Sequence, residues 1–141
     1  MSILSRVGVP TSAFALMDAT YVYVDDKSAD SFFYDLATQV MDTLKSWESE
    51  YRDCDKFSRV VQALGQLAHA TQWGSKKNTG AGLSLGVFNY MRDKDGGHSI
   101  NCIVTKVKDK EEFYIRFFEP QTGREVHLTK KEINSAFLVL L

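Results

Sequence analysis

His98-Ser99-Ile100-Asn101-Cys102-Ile103-Val104-Thr105-Lys106-Val107 and Phe113-Tyr114-Ile115-Arg116-Phe117-Phe118-Glu119 decide how this chain is read. Both stretches are rich in β-branched and aromatic residues, and the lysines and acids from Lys106 to Glu112 read as a solvated hairpin tip. The two are expected to pair as an antiparallel hairpin. A turn centred on Lys108-Asp109 puts His98 directly opposite Glu119, at the roughly 5 Å β-carbon spacing from which a carboxylate reaches an imidazole nitrogen. His98 shares its face with Ile100, Cys102 and Val104, and Glu119 with Phe113, Ile115 and Phe117. Both rows are expected to face the core.

Working outward, Leu83 to Met91 reads as a further strand, and Glu125 to Leu128 as a short one after the turn at Gln121-Thr122-Gly123. Thr129-Lys130-Lys131-Glu132 has capping-box form and starts a short last helix. The run Ala136 to Leu141 is too apolar for a free tail; it completes the sheet or is covered by another chain. Thr20 to Val24 reads as an early strand. A long helix is expected from Ser28, because Phe33, Leu36, Ala37, Val40, Met41, Leu44 and Trp47 recur at helical steps. A polar joint, Glu48 to Arg52, leads to a second helix with Phe57, Val60, Val61, Leu64, Leu67 and Ala68 on one stripe and Asp53 as its N-cap. That helix should end before Gly74, and Gly74 to Gly82 has the composition of a mobile loop. Helices followed by antiparallel strands make the class α+β, in one domain over residues 1–141.

The net charge of −1 and a pI near 6.3 leave no large basic surface, so nucleic acid and anionic membrane are not expected partners. No apolar run approaches spanning length, and the first residues lack a charged-then-apolar leader pattern. Two cysteines without a regular framework point to a reducing compartment. A protein of a host-cell cytoplasm or of a virus particle is the expectation.

Asp53-Cys54-Asp55-Lys56-Phe57-Ser58 places a thiol at a helix start, against the unsatisfied amides of the first turn. A thiol, a histidine and an orienting acid are the parts of a nucleophile–base–orienter triad. The helix bearing Cys54 is expected to pack on the sheet face that holds His98, which would gather Cys54, His98 and Glu119. Gln121 and a side chain just before the helix, such as Tyr51 or Arg52, are candidate oxyanion or substrate contacts. Cys102, mid-strand among Ile100, Ile103 and Val104, reads as a small buried hydrophobe. His69 and His127 read as ordinary satisfied histidines.

Tyr51-x-Asp53-Cys54-Asp55-x-Phe57, Gly97-His98-x-x-Asn101 and Glu119-Pro120-Gln121-Thr122-Gly123 together resemble the papain-like cysteine protease domain at the C-terminus of the Marasmius oreades mushroom agglutinin. Phage and bacterial proteins carry similar domains. The resemblance covers roughly residues 18–141. It implies a papain-like fold, N-terminal helices packed on a C-terminal antiparallel β-sheet, with Cys54 as nucleophile, His98 as general base and Glu119 as orienting acid. It also implies calcium or a similar cation, with Asp55 and Asn101 at positions matching ligands, although Lys56 stands where the family usually has a second aspartate. The sugar-binding β-trefoil that precedes the mushroom protease has no counterpart in these residues, so lectin activity is not carried over. Two functions follow. One is a cysteine hydrolase of peptidase or amidase type, acting on a protein or peptide. The other is a non-enzymatic structural or interaction protein, such as a phage particle component or host-directed adaptor with a protein partner.

Overall fold

A computed structural model of the chain describes residues 3–16, 20–44, 54–73, 81–92 and 96–141. Among these the order is α1 (Ile3–Arg6), β1 (Phe14–Ala15), β2 (Tyr21–Val22), β3 (Val24–Asp25), α2 (Ala29–Leu44) and α3 (Cys54–Trp73). Then come β4 (Gly82–Leu83), β5 (Leu85–Arg92), β6 (Gly96–Lys106), β7 (Phe113–Glu119), β8 (Arg124–Val126), α4 (Lys130–Asn134) and β9 (Leu138–Leu140). The class is α+β, with the long helices preceding and packing on a sheet built mainly from the C-terminal half. No helix of the described residues is long and apolar enough to cross a membrane. Trp47, the joint 48–52, the Asp53 cap and loop residues 74–80 lie outside the described residues.

The main sheet runs β1-β9-β5-β6-β7-β8, with β3 alongside β6. Its centre is antiparallel as expected, but β1 pairs with β9, and β3 with β6, in parallel. The apolar C-terminal run supplies β9, which pairs with β5 on one side and β1 on the other. Backbone groups along β5 that would form an open edge are thereby satisfied. The strand expected from Leu83 is divided at Ser84, where the chain passes from one sheet to the other. The Ser84 amide donates to Val22 O at 2.9 Å, and its hydroxyl to Val104 O at 2.7 Å. On the near side β4 pairs with β2 in a separate two-stranded sheet.

The hairpin turn centres on Asp109-Lys110. The Val107 amide donates to Glu112 O at 3.0 Å and the Lys110 amide to Val107 O at 3.2 Å, with Asp109 in the left-handed region at φ 62°. Asn101 therefore stands opposite Phe118 and Ile103 opposite Arg116, a ladder displaced by two positions from the one expected. An even displacement leaves every side chain on its own face.

One expectation about faces is overturned. Helices α2 and α3 do not cover the row of His98, Ile100 and Cys102. They pack Phe33, Leu36, Val40, Phe57 and Val61 on the opposite row, Leu85, Ile103 and Phe118. Phe33 stacks on Phe118 with ring centroids 4.7 Å apart. The other face is closed by Leu4, Val9 and Ala13 from the N-terminal segment and by Ile133 and Ala136 near α4, over Phe88, Ile100, Cys102 and Phe117. Both faces are buried, and each fully buried Phe, Ile or Val contributes about 1.5–3 kcal/mol. Thr129 caps α4 as expected: its hydroxyl accepts the Glu132 amide at 3.2 Å while the Glu132 carboxylate accepts the Thr129 amide at 2.9 Å.

Candidate functional site

At the Cys54 end of α3 a cleft of about 320 Å³ opens over the start of β6. Helix α3 contributes Cys54, Asp55 and Arg59, and the sheet contributes Asn89, Gly97, His98 and Ser99. Phe137 and Leu138 form the remaining wall. By the pleat His98 belongs to the row facing away from α3, beside Tyr90 on the neighbouring strand. It nonetheless lines the cleft, beside Gly97, which has no side chain to fill the space.

His98 Nε2 lies 2.8 Å from Glu119 Oε2, and both side chains are nearly enclosed, 10% and 14% exposed. With the carboxylate oxygen accepting, Nε2–H is the donor and Nδ1 is the imidazole nitrogen left for another partner. Glu119 also accepts the Gln121 amide on Oε1 at 3.4 Å, and the Arg92 guanidinium stands 3.7 Å from Oε2. The ring of Tyr90 meets the imidazole edge-on at 5.8 Å. Burial raises the Tyr90 phenol above its ordinary value, partly offset by a hydrogen bond from Arg92 and its charge, so the hydroxyl stays protonated beside the pair.

The Glu119-Pro120-Gln121-Thr122-Gly123 turn holds the carboxylate in place. The amides of Thr122 and Gly123 close on Glu119 O at 3.2 and 2.8 Å. Gly123 has φ 69°, and a Cβ there would approach the Tyr34 ring to 3.1 Å, so only glycine fits this turn against α2.

The structure thus gathers Cys54 and His98 in one cleft and places Glu119 behind His98. Gln121 is exposed in the turn, outside the cleft lining, and Tyr51 lies outside the described residues. Cys102 is fully buried, and burial pushes its thiol up to about 12. Asp55 lines the cleft, 3.8 Å from Arg59 one turn along α3. Asn101 is fully buried, its Nδ2 donating to Ser58 O at 2.8 Å and Gly86 O at 3.0 Å. A calcium ion takes about six to eight oxygen ligands. Asp55 beside a guanidinium, with an amide outside the cleft, does not fit such an ion, and no group of three or more acidic, cysteine or histidine residues placed to hold a metal ion occurs among the described residues.

A larger cavity, about 490 Å³, lies toward the other end of β6, among Phe14, Leu16, Tyr21, Tyr23 and Phe113. The Tyr21 and Ser84 hydroxyls in its lining are already spent on the Leu141 and Val104 carbonyls, and it holds neither thiol nor imidazole. The smaller cleft carries the chemistry.

The family model for the agglutinin C-terminal domain matches residues 21–125, a span that includes Cys54, His98 and Glu119. The chain belongs to the agglutinin C-terminal family. Two solved structures are similar to it. One, described as the PSL1a-E64 complex, is 20% identical with a TM-score of 0.64 over 98% of this chain and 49% of that one. The other is Polyporus squamosus lectin bound to the human-type influenza-binding epitope Neu5Aca2-6Galb1-4GlcNAc, 22% identical with a TM-score of 0.62 over 91% of this chain and 42% of that one. At these identities the likeness is one of fold, and this agglutinin C-terminal chain spans about half the length of either structure. No curated protein matches it.

These findings correct the expectation of a papain-like cysteine protease, a hydrolase with a thiol nucleophile, of phage or viral kind. The matching family is an agglutinin family, and Polyporus squamosus lectin is among the similar structures. Of the expected family terms, agglutinin C-terminal is the one that stands.

Sequence reasoning missed Ser58, Ser99, Arg92 and Phe137. Ser58 carries a signal in retrospect, as a small polar residue between Phe57 and Val61 one turn after Cys54. Phe137 was legible only as part of an apolar run.

Proposed function

We propose that this chain is a non-enzymatic interaction module of the agglutinin C-terminal family that holds a small organic ligand in the cleft between Cys54 and His98. The observation carrying this reading is the meeting of three kinds of group in one concave site. A thiol and an imidazole fixed by Glu119 lie beside the Asp55–Arg59 pair, and Phe137 and Leu138 offer an apolar wall. Such a mixture of apolar surface and a few oriented polar groups is what small-molecule sites present. A similar fold is described in complex with E64, and another with a sialylated trisaccharide, so folds of this kind occur in ligand-binding chains. In this reading Cys54 and His98 touch the ligand, and Glu119 holds the imidazole in one orientation.

Isothermal titration calorimetry with E64 and with Neu5Aca2-6Galb1-4GlcNAc tests it. Saturable E64 binding by the wild type, lost in Cys54→Ala and His98→Ala, is the expected result. Trisaccharide binding unaffected by both substitutions would place the ligand elsewhere and overturn the site. Cleavage of a peptide library by the wild type but not by Cys54→Ala would overturn the non-enzymatic reading.

A further inference from the structure

We infer that Ser58, Ser99 and Asn101 form a buried clamp that positions the Cys54 end of α3 against the strand carrying His98; the inference rests on the cleft being the ligand site. All three side chains are essentially closed to solvent, in an interface otherwise made by Phe57, Val61, Leu85 and Ile103. Apolar residues there would bury as much surface without the desolvation that hydroxyls and amides carry. What the polar trio adds is direction.

The bonds run in one sequence. Ser58 Oγ donates its single hydrogen to Asp55 O at 3.0 Å, so in the 2.6 Å contact between Ser58 Oγ and Ser99 Oγ it is Ser99 that donates. Asn101 Nδ2 uses both hydrogens, one on Ser58 O of α3 and one on Gly86 O of β5. The first turns of α3 are therefore tied at Ser58 to β6, and through Asn101 to the adjacent β5. Ser58 stands four residues after Cys54, on the same side of α3. Ser99 is the residue after His98. A slide or rotation of α3 that shifted Cys54 relative to His98 would break these bonds, whereas apolar packing alone tolerates small slides. Ser58, Ser99 and Asn101 are positioning residues in this account.

The test uses the full chain in a Cys102→Ala background, with iodoacetamide as probe of Cys54. Ser99→Ala should change the second-order alkylation rate of Cys54 by about threefold to tenfold, the value of one hydrogen bond. Ser99→Thr, which keeps the hydroxyl, should restore it. Ser58→Ala, which removes the acceptor at the other end, should match Ser99→Ala, and serves if that variant fails to fold. E64 affinity should fall in parallel. Folded alanine variants with unchanged alkylation rate, whatever their melting temperature, would overturn the clamp, as would a threonine variant that fails to rescue. Alkylation needs no ligand, so failure of the wild type to bind E64 would sink the ligand reading while the clamp is judged separately.

Discussion

His98 and Glu119 are joined at 2.8 Å although neither is the other's ladder partner: His98 pairs with Tyr90 and Glu119 with Arg124. The contact is a diagonal reach beyond the last paired rung, Asn101 with Phe118, made possible by the turn that follows Glu119.

Removing one partner leaves a nearly enclosed polar atom without its bond. Glu119→Ala should lower the unfolding free energy by about 1–3 kcal/mol, and Glu119→Gln, which retains an acceptor, by less. Urea unfolding at neutral pH measures both. Equal losses would mean that the site tolerates an unpaired imidazole nitrogen.

The two thiols should separate sharply in accessibility. Cys54 lines an open cleft and Cys102 is sealed. Brief iodoacetamide treatment of the native protein should label Cys54 alone, and both residues in urea, read by peptide mass spectrometry.

The buried Cys102 thiol also makes stability depend on pH. Its value is raised from 9.0 to about 12, so the folded state keeps the proton where the unfolded state has lost it. The contribution is complete below pH 9 and falls as pH rises from there to 12, by about 1.4 kcal/mol per unit. Tyr90, also raised, adds to the wild-type decline. Cys102→Ala should therefore be less stable near neutrality, through its cavity, yet lose less stability between pH 8 and 10 than the wild type. Parallel curves in urea midpoint against pH would refute this.

Arg116 joins three elements. Its guanidinium bonds both Glu125 oxygens at 2.8 and 2.7 Å, Asp30 at 2.9 Å and Asp26 O at 2.9 Å, and lies over the Phe118 ring. These partners, Glu125 foremost, raise its already high pKa. The Asp26 carboxylate also stands 3.8 Å from the guanidinium, so Arg116→Ala should cost about 2–4 kcal/mol, because three carboxylates lose the cation they share. Arg116→Lys should recover less than half, since a point charge cannot grip Glu125 at two atoms. Thermal melts of the two variants decide it.

Much of the fold was legible locally. Phe113–Glu119 is a strand with the expected bounds, Thr129 caps as its motif requires, and the apolar C-terminal run becomes β9. Each depends on residues near in sequence: β-branched runs, a side chain returning to its own turn, an apolar run. The register of the hairpin was not legible, because Lys108-Asp109-Lys110 carries no turn signature and the left-handed residue proved to be Asp109. Gln121 reads from the sequence as an oxyanion or substrate contact, and Asp55 and Asn101 as cation-ligand positions; in the structure they lie in a surface turn, an ion pair and the core.

By itself the sequence determined the α+β class, the succession of two long helices, the later strands and the capped α4, and the pairing of the His98 strand with the Glu119 strand. It could not determine which face of that sheet receives α2 and α3. In β6 every residue from Ser99 to Thr105 is buried, so the alternation that marks an inner and an outer face is missing. The choice was made at a distance, where Phe33 meets Phe118 and the Val61 row fits against Leu85 and Ile103, while the chain's two ends close over Cys102. Cys54 and His98 consequently approach one cleft from opposite sides of the sheet, an arrangement that exists only once both faces are packed.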